Sequence, residues 1–192
     1  MKTTKKLDLY VQHKAEYVTP KAPVLLQASP AQYLAIDGRG EPGGAEFQKK
    51  IGALYNVAFT IKMARKFAGQ DYAVSKLEGL WPKNDREIWT LIIRIPEFIG
   101  AKDLKEAAKK LLDKGKDAEV GEVAIRKLKE GRSVQMLHVG PYDQCGTTIE
   151  TMRQFAAGQG LAFRDAHHEI YLSDPRRVAP AKLRTILRHP VG

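Results

Sequence analysis

"HHEIYLSDP", residues 167–175, reads as a β-strand closed by a turn, with Ile170, Tyr171 and Leu172 running into Ser-Asp-Pro. Side chains alternate between the two faces of a strand. His167, Glu169 and Tyr171 therefore share one face, and His168, Ile170 and Leu172 share the other. A carboxylate beside an aromatic, on a strand whose opposite face is apolar, is either turned to water or held in a pocket. Which of the two holds depends on the elements laid against that face.

Upstream, "QCGTTIETMRQFAAGQGL" reads as a helix over 144–161 closed by glycines. It is preceded by strands in "VAIRKLKEG" (123–131) and "SVQMLHVGPYD" (133–143), and "AKLRTILRHPV" (181–191) supplies a strand downstream. The first half offers short strands at 24–27 and 33–37, broken at Ser29-Pro30. "AEFQKKIGALYNVAFTIKMARKF" is a helix by the 3.6 period of Phe47, Ile51, Leu54, Tyr55, Ala58 and Ile61. "YAVSKLEGLW" and "REIWTLIIRI" look like a hairpin across "PKND", and "GAKDLKEAAKKLLDKG" is a helix over 100–115. Residues 1–20 read as a polar leader ending at Pro20.

The halves echo each other. "QYLAIDGRG" matches "VQMLHVGPY", "KLEGLW" matches "HHEIYL", and "EIWTLIIRI" matches "LRTILRHPV". The second match gives Glu78 the role of Glu169. The period of about 95 residues is too long for a solenoid repeat. The expected fold is α+β: one domain over 1–192, built of two duplicated strand-helix-strand-strand modules with pseudo-twofold symmetry and a central ligand cleft. Module one spans about 22–99, a connecting helix about 100–115, and module two about 120–192.

The formal net charge is +10, which raises nucleic acid or acidic lipid as a partner. The basic residues are spread along the chain and interleaved with acids, as in "AKDLKEAAKKLLDKGKDAEV", with no long basic block, zinc spacing or RNA-binding aromatic signature. Nucleic acid is therefore not expected as the main partner. The single cysteine, Cys145, excludes an internal disulfide framework and suits a reducing compartment. "MKTTKKLDLYVQHK" has no apolar run after its basic start, so neither a signal peptide nor a membrane span is expected, and the expected location is the cytoplasm. His167 and His168 point to opposite faces and cannot clamp a metal together. Neither metal nor cofactor is expected.

"YLAIDGRGEPGGAEFQKKIGALYNVAFTIKM" together with "HHEIYLSDPRRVAPAKLRTILRHPV" resembles the GyrI-like proteins, stand-alone relatives of the effector-binding domains of AraC- and MerR-type regulators. The resemblance runs from about Leu7 to Val191, and "EIYLSDPRR" and "LYNVAFTIKM" are its most specific parts. It implies a pair of strand-helix-strand-strand modules around a cleft for bulky, flat, apolar molecules. Some members hydrolyse the activated cyclopropane of DNA-alkylating natural products, and an older family role is inhibition of DNA gyrase.

Together with the Glu169/Tyr171 strand, the resemblance implies a cofactor-independent hydrolase that opens a cyclopropane and so serves detoxification. Glu169 is the expected base, since a carboxylate in an apolar cleft can take a proton from water. Tyr55 or Tyr171 is the expected donor to a conjugated carbonyl. Trp81, Trp89, Tyr142, Phe59, Glu78 and His167 are the expected ligand-binding residues, although core packing is the plainer explanation for any single aromatic. Two alternatives stand beside this. One is a non-catalytic protein that sequesters bulky aromatic or cationic drugs through Glu169 and cation–π contacts. The other is a protein that contacts gyrase.

Overall fold

Short strand-forming runs rich in apolar residues, interrupted by helices, fold into one eight-stranded antiparallel sheet. A computed structural model describes residues 6–82 and 87–192; the turn expected at "PKND" falls largely on 83–86, outside the described residues. The strands are β1 (Val24–Ala28), β2 (Ala31–Arg39), β3 (Leu77–Trp81), β4 (Ile88–Ile95), β5 (Ala124–Leu128), β6 (Gly131–Val139), β7 (His167–Tyr171) and β8 (Arg184–Pro190). The helices are α1 (Leu9–Gln12), α2 (Ala45–Phe67), α3 (Ala101–Leu112) and α4 (Cys145–Gly158). The order strand, strand, helix, strand, strand occurs twice, once over 24–95 and once over 124–190.

The strand order is β1-β6-β8-β7-β3-β4-β2-β5. β3 and β7 meet at the centre through four register pairs, from Glu78↔Ile170 to Trp81↔His167, with Gly79 opposite Glu169. The outer strands are exchanged: β1 pairs with β6 and β5 pairs with β2. β1 stands at one end of this order and β2 next to the other end, yet only Ser29 and Pro30 separate them in sequence. Lys129 and Glu130 alone separate β5 from β6. Links this short force the two ends of the sheet toward each other, because the three Cα–Cα steps across two intervening residues span at most about 11 Å. The sheet is therefore curled, with an outer face and an enclosed inner face.

The outer face carries the helices. α2 lays Leu54, Val57, Ala58 and Ile61 on Leu34, Ile36, Leu91 and Ile93. α4 lays Met152 and Ala156 on Val134 and Leu187. The helix register of α2 follows its apolar period, and α3 adds Ala107 and Leu111 to the same core. β4 is buried on both faces from Leu91 to Ile95, which explains why "LIIRI" lacks the alternation of a half-wet strand.

The N-terminal stretch is not the polar leader expected. Leu9 and Glu16 are buried, and Tyr10 stacks on Tyr17 at 3.9 Å between ring centroids. Main-chain bonds tie this stretch down at both ends: Leu7 N–H to Asp71 O at 3.0 Å, and Leu137 N–H to Pro20 O at 2.8 Å. It forms a strap across the inner face. Its apolar and acidic residues are too sparse to show a period, and their partners lie far along the chain.

Candidate functional site

α2 packs on one half of the sheet and α4 on the other, so the central pair β3/β7 is left between them. Glu169 stands opposite Leu187 on one side and Gly79 on the other, and Gly79 stands opposite Leu91. Leu187 and Leu91 belong to the α4 and α2 cores, which places Glu169 on the outer, helix-bearing face as the alternation in the sequence requires.

Glu169 is held from both sides. The Tyr171 hydroxyl donates to Oε2 at 2.9 Å. His167 Nε2 lies 3.3 Å from Oε1, within ion-pair reach but misaligned for a hydrogen bond, and both ring nitrogens of His167 are buried without one. Glu169 and His167 keep 12% of their side-chain surface each. Burial, and then the Glu169 carboxylate beside it, pushes the Tyr171 phenol well above the ordinary value. The hydroxyl therefore stays a donor at any physiological pH.

Aromatic rings surround this pair. Tyr142 meets Tyr171 edge-on at 5.6 Å, and Trp81 lies parallel to Phe47 at 6.3 Å. Gly79 makes the arrangement fit: a Cβ there would sit 2.8 Å from Tyr171 Oη and 3.1 Å from Trp81 Nε1. Trp81 Nε1 is buried with no well-aligned acceptor among the described residues. Its neighbour is the Tyr171 hydroxyl, which it influences without forming a well-aligned hydrogen bond. Burial raises the pKa of Tyr55, whose hydroxyl lies near the Leu77 backbone N–H at the start of β3 and in the field of Asp174 and Arg176. Phe59 continues the row, 6.0 Å from Tyr55 and 52% exposed.

The structure thus brings Glu169, Tyr171, His167, Trp81 and Tyr142 together, with Tyr55 and Phe59 along the α2 wall. Two expected members are elsewhere. Trp89 is fully buried in the α2 core, edge-on to Phe47 at 4.8 Å, and its Nε1 donates to Gly40 O at 3.0 Å. Glu78 is fully buried on the inner face, bonded to His168 at 2.9 Å. A single residue step along β3 changes the face, so the partner of Glu169 across the strands is Gly79 and not Glu78. Gly79 was the residue overlooked. A glycine inside a strand is itself a sign of close approach by another group.

Cys145 is buried, and burial followed by the Glu169 charge pushes its thiol up to about 12; it is an inert packing residue of α4. Lys62 pairs with Asp71 at 3.0 Å. A concavity of about 330 Å³ opens elsewhere, at the end of the inner face, between Leu80, Leu128, Glu130, Asp165 and Pro190. Both carboxylate oxygens of Glu130 are already bonded, to His168 and Arg188. Its carboxylate is therefore committed, whereas both ring nitrogens of His167 beside Glu169 have no hydrogen bond among the described residues. Among the described residues no helix is long and apolar enough to cross a membrane.

Comparison with known proteins agrees with this geometry. The chain is 36% identical to a protein from Listeria innocua described as a hydrolase, over 97% of this chain and 100% of that one, with a TM-score of 0.89. It is equally close to a conserved protein from Listeria innocua described as uncharacterized, at 36% identity, the same coverage and a TM-score of 0.90. The C-terminal domain of EcmrR shares the fold at 12% identity, over 88% of this chain and 96% of that one, with a TM-score of 0.58. No curated protein matches. The family model of the GyrI-like small molecule binding domain matches residues 22–191, and the chain belongs to that family.

Proposed function

We propose that this protein hydrolyses the activated cyclopropane of a flat, polycyclic, DNA-alkylating compound bound between α2 and α4. One observation carries the reading: Glu169 lies on the helix-bearing face among aromatic side chains, with Tyr171 and His167 at its two oxygens. The 36% identity to a protein described as a hydrolase supports it.

Trp81, Tyr142 and Phe59 stack on the flat ligand. Tyr171 commits its proton to Glu169. Tyr55, whose phenol burial keeps protonated, gives a hydrogen bond to the conjugated carbonyl of the substrate. Water attacks a ring methylene while Glu169 takes its proton. The new C–O bond forms as the strained C–C bond breaks, and that electron pair moves to the carbonyl oxygen. The proton on Glu169 then passes to that oxygen, so the product is the substrate plus one water. General-base help of this kind contributes about 10²–10⁴ in rate, and ring strain supplies the rest of the driving force.

The test is incubation of the compound with substoichiometric protein, read by mass spectrometry. Many equivalents gaining one water, with the gain lost in a folded Glu169→Gln variant, is the expected result. Unchanged compound, or a folded variant as active as the parent, overturns the assignment.

A second reading, binding of a bulky aromatic cation without turnover, is favoured by one feature. Among the described residues the ion-pair partner of Glu169 is His167, with no lysine or arginine at salt-bridge distance. Stoichiometric, charge-selective binding with no product would favour it.

A further inference from the structure

The inner face carries an ionic cluster that the proposed chemistry does not use. His168 faces Glu78 Oε2 with Nε2 and Glu130 Oε1 with Nδ1, each at 2.9 Å. Both partners are carboxylate oxygens, so both nitrogens donate and the ring is an imidazolium. Arg188 bonds Glu130 Oε2 at 2.9 Å and Gln135 Oε1 at 2.8 Å. Arg94 bonds Glu16 Oε2 at 2.9 Å and the Tyr17 hydroxyl at 3.0 Å. The Tyr10 hydroxyl reaches Glu78 Oε1 at 3.5 Å. Glu16, Glu78, Glu130, Arg94, Arg188 and His168 are each at most 6% exposed. Three carboxylates face three cations, so the cluster is neutral as a whole.

Its place in the sheet is what matters for the cleft. The β3/β7 ladder that joins the two halves has four register pairs, against eight for β2/β4. His168 immediately precedes Glu169, and Glu78 immediately precedes Gly79. The Glu78–His168 bond runs diagonally across this short ladder, directly behind the point where Gly79 faces Glu169. Glu130 then anchors the other edge of the His168 ring to the β5–β6 turn. Because neighbouring side chains on a strand point to opposite faces, a tie on the inner face sets the spacing of groups on the outer one. The strap that covers this cluster precedes the stretch that matches the family model, 22–191.

We infer that Glu78, His168 and Glu130 are positioning residues for the helix-side cleft, holding β3 and β7 at the separation that places Glu169, Tyr171 and Trp81 together over Gly79. Only the effect on turnover rests on the function proposed above; the effect on Trp81 does not.

The two tryptophans, Trp81 and Trp89, allow a direct test. Protein labelled with 5-fluorotryptophan gives two ¹⁹F resonances, assigned with Trp81→Phe. Trp89 lies in the α2 core and is the internal control. The variants are His168→Gln and the paired Glu78→Gln/His168→Gln, which removes one charge of each sign and remains folded if the single change does not. The expected result in the paired variant is a shifted or broadened Trp81 resonance beside an unchanged Trp89 resonance. On the cyclopropane substrate, kcat falls about tenfold or more with KM within about threefold. A folded paired variant with Trp81 and kcat unchanged overturns the inference, and so does equal movement of both resonances. If the parent protein shows no turnover, the hydrolase reading fails, while the Trp81 resonance still decides the positioning role.

Discussion

Raising the pH should loosen this protein between neutrality and pH 10, and His168 should be responsible. Burial alone would lower its pKa, but the Glu130 charge and the hydrogen bonds to Glu130 and Glu78 prevail and hold it at about 9, against 6.5 for a free imidazole. At about 1.4 kcal/mol for each tenfold change in proton affinity, this difference is worth about 3 kcal/mol. The folded-state value is the higher one. The contribution is therefore complete below pH 6.5 and is lost as pH rises through about 9. The loss is a large part of a typical net stability of about 5–15 kcal/mol. Other groups facing the ring do not blur the window. Arg188 stays charged throughout, its pKa raised beyond that of a free guanidinium by Glu130 despite burial. Tyr10, Tyr17 and Tyr33 are pushed above 10 by burial and act only beyond pH 10. At the acid end, burial opposes but His168 and Arg188 outweigh it, holding the Glu130 carboxyl down at about 2. Its contribution is present above pH 4.5 and lost as pH falls through about 2; it is the same attraction seen from the other partner and is not added. Urea unfolding followed by circular dichroism at pH 6.5, 7.5, 8.5 and 9.5 measures the alkaline limb. Equal stability at pH 6.5 and 9.5 would refute the reasoning. So would the same decline in Glu78→Gln/His168→Gln, which lacks the titrating ring.

Three further substitutions or probes follow from the packing. Gly79→Ala places a methyl 2.8 Å from Tyr171 Oη; it should cost about 1–3 kcal/mol by overpacking and break the Tyr171–Glu169 bond, seen as a lower Tm and a loss of turnover or ligand affinity beyond that of a remote surface change. Gly38→Ala places a methyl 1.9 Å from the buried Trp89 ring, a rigid neighbour, and should destabilise by about 3 kcal/mol or more, measured by urea unfolding. Cys145, buried with its thiol up at about 12, should resist a thiol reagent at pH 8 in the native protein and react fully once unfolded; fast native labelling would contradict the α4 packing.

Several elements were legible in the residues. α2 occupies the span its apolar period marks, Ala45–Phe67, and the "HHEIY" strand turns Glu169 and Tyr171 to one face as alternation demands. The candidate site was half legible. Glu169, Tyr171, His167, Trp81 and Tyr142 converge, whereas Glu78 and Trp89 do not. The match of "KLEGLW" to "HHEIYL" set Glu78 against Glu169. The actual pairing sets Gly79 there, and a one-residue change of register is a complete change of face. Trp89 was on the correct face of β4 but beneath α2, and alternation along a strand says nothing of how far a helix reaches over it.

What the chain decided by itself was local: which stretches are strands or helices, and which side chains share a face, because backbone geometry alone imposes periods of 2 and 3.6. Only the tertiary structure decided the exchange of β1 and β5, the curl of the sheet, the strap and the ionic cluster beneath it. These rest on contacts between distant residues, such as Arg188 with the Glu16 carbonyl, 172 positions apart. Whether a buried charge such as Glu78 has a partner depends on what the fold delivers to it, and nothing within one strand encodes that.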